Sequence, residues 1–262
     1  MKRLLTAAVL IPLVVGLVFW GPNRAVRLAL ALVALLCLSE FLKLAAAAGA
    51  QPMRLVAYLS GAWIVAGEVT PGLAFLLGVT LLLLTLAMRG GREISGALLS
   101  AAATLLGIVY TAVPFRLAGD LHAAGPQWLF YVLAINWLGD SAAYYAGRAL
   151  GRRRLAPRVS PNKTWEGAAA SLVAATAAGA LYLRWFLPNP PAPAFAVALS
   201  AGANLTAQIG DLAESALKRG AGVKDSGSLL PGHGGFLDRL DGLLFSIPVV
   251  WLAVSRAFLP VR

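Results

Sequence analysis

Chemistry in this chain is concentrated where its acidic residues are. The sequence holds only 11 Asp and Glu, and five of them, Asp211, Glu214, Asp225, Asp238 and Asp241, fall between positions 211 and 241. Interleaved with them are Lys218, Arg219, Lys224, Arg239, His233 and a run of glycines that includes Gly220, Gly222, Gly234 and Gly235. That mixture suits phosphate. Glycines let backbone N–H groups approach an anion closely, Lys and Arg neutralise phosphoryl oxygens, and Asp238 and Asp241, three residues apart, fall on one side of a helical turn. The lone cysteine, Cys37, lies in an apolar run, and the two histidines are His122 and His233. A disulfide, a thiolate metal site and a histidine-built zinc site are therefore all disfavoured. Hard oxygen donors point instead to Mg²⁺.

Two polar stripes accompany this segment. Asn204, Gln208, Asp211, Ser215 and Lys218 recur at steps of 4, 3, 4 and 3, which puts them on one face of a helix whose other faces are Ala, Leu and Ile. Asn136, Asp140 and Tyr144 form a shorter stripe at i, i+4 and i+8. Asn204 and Gln208 have an ordinary use as interhelical hydrogen-bonding groups. Asp211 and Asp140 do not, because a carboxylate near a bilayer centre costs about 2.5–3.5 kcal/mol and marks a functional site by default.

The elements that must position these residues follow from composition. Of the 262 residues 59% are hydrophobic and 13% charged, with a mean hydropathy of +0.77. A soluble domain has about 25% charged residues, so a soluble globular enzyme is excluded, as is a disordered chain. We expect a single all-α domain over residues 1–262, a polytopic transmembrane helical bundle of about nine spans. The apolar runs are Leu4–Trp20, Ala25–Ala48, Met53–Gly67, Gly72–Met88, Gly96–Leu117, Gln127–Gly147, Gly167–Leu187, Ala192–Leu217 and Leu243–Leu259. The first imitates a secretory signal but lacks a small-residue cleavage site, so it reads as a retained helix. With the N-terminus cytoplasmic, 16 of the 22 Lys and Arg lie inside, as the positive-inside rule requires. The loops 148–166 and 218–242 then face the cytoplasm, where the net charge of +11 can hold anionic head groups and phosphates. Helices in 1–126 serve mostly as scaffold and 127–262 forms the catalytic half. Trp20, Trp63, Trp128, Trp185 and Trp251 sit near span ends, as interfacial anchors do. Glu40, with Lys43 one turn away, reads as an internal ion pair and not as a catalyst.

The stretch from Ser215 through Leu217, Lys218, Arg219, Lys224, Asp225, Gly227, Leu230, Pro231, His233, Gly234, Gly235 and Phe236 to Asp238, Arg239, Leu240 and Asp241 resembles the signature of the phosphatidate cytidylyltransferases, the CDP-diacylglycerol synthases. A second stretch, Ser160 to Gly167, is similar to another family segment, with Asn162 where the family often has a second Lys. Asp140 within Gly139–Tyr144 also fits the pattern. The resemblance is sharp from about residue 136 onward and only compositional before it.

The resemblance implies that CTP and phosphatidate give CDP-diacylglycerol and pyrophosphate, with the lipid phosphate attacking the α-phosphorus directly. On that reading Asp211, Asp238 and Asp241 hold Mg²⁺, with a second metal ion left open. Lys218, Lys224 and the His233-Gly234-Gly235 turn bind the triphosphate, and Ser215 joins the substrate-binding set. Arg219, Arg239 and Lys163 are candidates for the lipid phosphate, and Asp225 joins the catalytic group. Asp140, Glu166 and Glu214 are ligands or partners of ligands. Expected partners are CTP, phosphatidate and membrane lipids, without nucleic acid; a homodimer stays open. The expected location is a membrane, crossed several times, the inner membrane in a bacterium, with the active site towards the cytoplasm. Two rivals are an ion transporter using Asp140 and Asp211 and a transferase acting on polyprenyl or CDP-alcohol substrates.

Overall fold

The structure, a computed structural model, describes residues 2–67, 72–89, 96–227 and 234–257. Among these residues it is nearly all helix: α1 (Lys2–Trp20), α2 (Asn23–Ala47), α3 (Arg54–Ala66), α4 (Leu73–Arg89), α5 (Ala97–Ala124), α6 (Pro126–Leu150), α7 (Trp165–Phe186), α8 (Pro193–Gly220) and α9 (Leu237–Ala257). A short antiparallel hairpin, β1 (Arg154–Ala156) with β2 (Ser160–Thr164), links α6 to α7. The all-α expectation holds, and the hairpin is the small addition to it.

Local chemistry sets the helix limits. Pro126 opens α6, where its missing N–H is no loss. Thr164 caps α7 by accepting from the Gly167 N–H at 3.2 Å. The prolines at 188, 190 and 191 end α7 before α8 begins at Pro193. Three helices are long and apolar enough to cross a membrane among the described residues: Asn23–Ala47, Ala97–Ala124 and Trp165–Phe186. The third apolar run becomes a 13-residue helix, which rises about 20 Å against a hydrocarbon core of about 30 Å.

Helix α5 extends further than its apolar run. The run ends at Leu117, yet the helix continues to Ala124, with one wider π-helical turn at Ile108–Ala112. The polar residues at this end of the helix are satisfied inside the protein. Arg116 is buried and donates to the Gly67 carbonyl at the end of α3, and buried His122 is hydrogen-bonded to the Val18 carbonyl at 2.9 Å.

The chain forms two compact units, one of Met1–Leu5, Pro22–Gly119 and Leu217–Arg239, the other of Thr6–Gly21, Asp120–Ala216 and Leu240–Arg262. In the first, Leu38, Leu42, Ile64, Leu83 and Ile108 are fully buried, and Phe41 meets Tyr110 edge-on with ring centres 5.7 Å apart. In the second, Tyr131 bonds Ser200 at 2.8 Å and the Tyr182 ring stacks on Phe186. Trp128 belongs to this core, 6% exposed and edge-on to Tyr131, whereas Trp20, Trp63 and Trp185 are exposed as interfacial anchors would be.

Helices α6 and α7 approach closely because small residues line their contact. A Cβ at Gly167 would stand 2.8 Å from the Ala143 carbonyl and 3.3 Å from the Gly147 Cα. Backbone cannot yield as a flexible side chain does. Gly167→Val should therefore lower stability by about 1–3 kcal/mol, read as a fall in the thermal midpoint of the purified protein in detergent. Gly202→Ala, at a helical glycine with open space around it, should leave the midpoint unchanged or raise it.

Candidate functional site

The polar stripe of α8 divides by function. Asn204 donates to Ser171 Oγ of α7 at 3.1 Å, and Gln208 donates to Asn204 Oδ1 at 2.7 Å and to the Ala168 carbonyl at 3.2 Å. These two residues are helix-to-helix glue. Asp211, a turn further on, is different, since it forms an ion pair with Lys163 on β2 with side-chain exposures of 38% and 26%. The hairpin explains how Lys163 is delivered. Thr164 caps α7, and Glu166 in the first turn accepts from the backbone N–H groups of Arg152 and Arg153 at 3.1–3.3 Å, so the open end of the hairpin that bears Lys163 is tied to the start of α7.

Asp211 has company in the second unit. Asp140 of α6, Asp211 and Glu214 of α8 all act electrostatically on Asp241 of α9, and the Asp241 side chain accepts from the Gly242 N–H at 2.7 Å. Glu214 is fully buried, and Gly210 lets α8 come against the Asp241 carbonyl and the Phe245 ring. Carboxylates within electrostatic reach of one another oppose each other's ionisation, and a proton or a cation relieves that cost. Among the described residues no three His, Cys, Asp or Glu groups converge as a protein-only metal cage. Mg²⁺ seldom uses such a cage, taking one or two carboxylates with substrate phosphates and water, so the donor set of Asp211 and Asp241 fits it.

In the first unit, Asp238 at the start of α9 is the hub. It accepts from Lys218 Nζ at 2.6 Å, from the Ser226 N–H at 3.0 Å and from the Gly235 N–H at 2.8 Å. Gly234 beside it has φ +78, a backbone state that glycine adopts without strain. Burial pushes the Asp238 carboxyl up, but the hydrogen bonds from Lys218, Gly235 and Ser226 and the charge of Lys218 more than offset it, so it sits below its ordinary value. Arg219 donates to the Val223 carbonyl at 3.0 Å and closes the end of α8, while Lys224, Asp225 and Arg239 are exposed. Ser215 is buried on α8. His233 and Gly232 lie outside the described residues.

One residue read from the sequence as peripheral belongs here. Glu40 of α2 is fully buried and spends its carboxyl on the 226–237 segment instead of on Lys43, which is exposed. The signal available was the cost of an acid in an apolar span.

The profile of the Cytidylyltransferase family matches residues 1–257, and the chain belongs to that family. It is 48% identical over 139 residues to the phosphatidate cytidylyltransferase of Brucella suis biovar 1 (strain 1330), covering 52% of this chain and 49% of the relative. It is 42% identical over 137 residues to that of Bacillus subtilis (strain 168), covering 52% and 50%, and 40% identical over 157 residues to that of Haemophilus influenzae (strain Rd), covering 58% and 54%. The chain thus spans about half the length of the curated relatives it matches.

The Lys218–Asp238 pair carries a pH signature. Asp238 titrates below its usual value of about 3.9 when folded, so its stabilising contribution is complete above that value and is lost as pH falls through the lower folded one. Lys218→Met should lower the thermal midpoint near neutral pH, and the gap from the unmodified protein should narrow as the pH drops below about 4. A gap independent of pH would mean that Lys218 acts through packing alone.

Proposed function

We propose that this chain transfers the cytidylyl group of CTP to phosphatidate, giving CDP-diacylglycerol and pyrophosphate. The observation that carries the reading is the Lys163–Asp211 ion pair, with Asp140, Glu214 and Asp241 within electrostatic reach of one another's charge, in a chain with three helices long and apolar enough to cross a membrane. The relatives' shared name supports the substrate pair. A phosphate oxygen of the lipid bonds to the α-phosphorus of CTP, the bond from that phosphorus to the bridging oxygen breaks, and pyrophosphate leaves with the electron pair. The attacking phosphate is already ionised near neutral pH, so no general base is needed.

The obstacle is bringing two polyanions together, and the residues supply positioning and charge. Asp211 and Asp241 would hold Mg²⁺, and the sequence resemblance adds Asp238 to that set. When bound, the ion would neutralise phosphoryl oxygens and orient the leaving group. Lys218, Lys224 and the His233-Gly234-Gly235 turn hold the triphosphate, with Ser215 and Asp225 beside them in sequence. Lys163, Arg219 and Arg239 receive the lipid phosphate. Lys163 can turn from Asp211 to a phosphate without becoming a lone charge. The proposed placement is a membrane crossed several times, with the loops 148–166 and 218–242 on the cytoplasmic side, where CTP is found.

Purified protein given labelled CTP, phosphatidate and Mg²⁺ in detergent should form CDP-diacylglycerol and pyrophosphate. Chelation should abolish turnover and Mg²⁺ should restore it. Asp211→Asn should insert and purify normally while losing about 100-fold or more in turnover. Near-normal turnover in Asp211→Asn would move the metal site elsewhere.

Orientation has its own test. Ser226 is buried and a poor reporter, so the probe belongs on the hairpin, where Arg158 is exposed. Arg158→Cys in a Cys37→Ala background should react with an impermeant thiol reagent in inside-out vesicles and be protected in intact cells. Labelling from outside intact cells would invert the arrangement.

A further inference from the structure

Glu40 lies in the fifth turn of α2, nearly two hundred residues before the glycine-rich segment, yet its carboxyl group is devoted to that segment. One oxygen accepts from the Ser226 hydroxyl at 3.0 Å and the Leu237 N–H at 2.8 Å, and the other accepts from the Phe236 N–H at 3.1 Å. All of these residues belong to the first compact unit. Ser226 is shared, its hydroxyl going to Glu40 and its N–H to Asp238, and three successive N–H groups, Gly235, Phe236 and Leu237, go to Asp238, Glu40 and Glu40. Leu237 and Phe236 stand at the N-terminus of α9, where orphan N–H groups favour an acidic partner. The glycines on either side are fitted to this acid, because a Cβ at Gly227 or at Gly235 would strike the Glu40 carboxyl group.

We propose that Glu40 is a positioning residue of the nucleotide site: it pins Ser226 and the start of α9 together, and so fixes the frame in which Asp238 presents Lys218. That the site holds nucleotide phosphates rests on the cytidylyltransferase reading given above. Glu40 touches no reacting atom on that reading, since both its oxygens are committed to the protein. It acts through Ser226, Phe236 and Leu237 on the place of Asp238 and Lys218, so the effect falls mainly on the binding of CTP.

Glu40→Gln tests this, because it keeps the side-chain volume and turns one acceptor oxygen into an NH₂ group that faces a donor. Hydrogen exchange measured by mass spectrometry on the detergent-solubilised protein should show the Gly235–Leu237 amides exchanging about tenfold faster or more, with α7 unchanged. In turnover, KM for CTP should rise about tenfold while KM for phosphatidate stays within about twofold. Ser226→Ala removes one donor and leaves the acid, so it should shift both readouts in the same direction by less, and it carries the test if Glu40→Gln does not fold. Unchanged exchange at Phe236 and Leu237 in a folded variant overturns the clamp. A fall in kcat with both KM values unchanged overturns the assignment to nucleotide binding. Absence of CTP turnover in the unmodified protein would overturn the enzyme reading itself, and the exchange result would still decide whether Glu40 holds the segment.

Discussion

An acid in an apolar chain must be met by donors or by a cation, and the local architecture around each acid follows from how that demand is satisfied. Removing a carboxylate from water costs several kcal/mol in practice, so an acid placed in such surroundings dictates what comes to it. Glu40 draws a hydroxyl and two backbone N–H groups, Asp238 draws a lysine and two backbone N–H groups, Glu166 draws two more, and Asp211 draws Lys163. In three of the four the donors include backbone N–H groups, and those groups belong to the connections between helices or to a helix start. The acids thereby convert flexible connections into shaped ones. That is a role the apolar helices cannot play for themselves, since packing of Leu and Ala fixes helix against helix but leaves a connecting loop undetermined.

Close approach is the second requirement, and it is met by glycine where a backbone or an acid must come near. Gly167 admits the Ala143 carbonyl, Gly210 admits the Asp241 carbonyl and the Phe245 ring, and Gly227 and Gly235 admit Glu40. The same device serves packing in the first two cases and acid placement in the last two. Glycine content that looks like loop flexibility in a linear reading is, at these positions, a set of contacts with nothing to spare.

What the sequence reveals depends on distance along the chain. Helix positions are readable because each apolar run is local, and the spacing of Asn204, Gln208, Asp211, Ser215 and Lys218 is enough to place them on one face of α8. Local reasoning fails where a polar residue finds a distant partner. His122 lies past the end of the apolar run at Leu117, but its partner is the Val18 carbonyl, and α5 continues past it. Glu40 offered a near partner in Lys43 and took a remote one. Lys163 and Asp211, 48 positions apart, meet only because a hairpin with a Thr164 cap returns the strand. Trp128 stands near a span end, which sequence position alone equates with the interface, while packing against Tyr131 puts it in the core.

The pairs Lys163–Asp211 in the second unit and Lys218–Asp238 in the first also bear on how each of these places could accept an anion. A lone lysine facing a phosphate would be costly to hold in partly buried surroundings, and a lone aspartate waiting for a divalent cation equally so. When each stands in contact with the other, exchange is close to symmetrical: a phosphate takes the lysine, a metal ion takes the carboxylate, and no charge is left without a counter-charge on either side of the exchange. Under the proposed reading CTP and Mg²⁺ would enter as one such complementary set, so the energy spent in breaking the protein's ion pairs is returned by the contacts that replace them. The acids and bases then need no wide electropositive cleft to attract substrate. They need only to be held at fixed positions, which is the task that Glu40, the backbone N–H groups and the glycines perform around them.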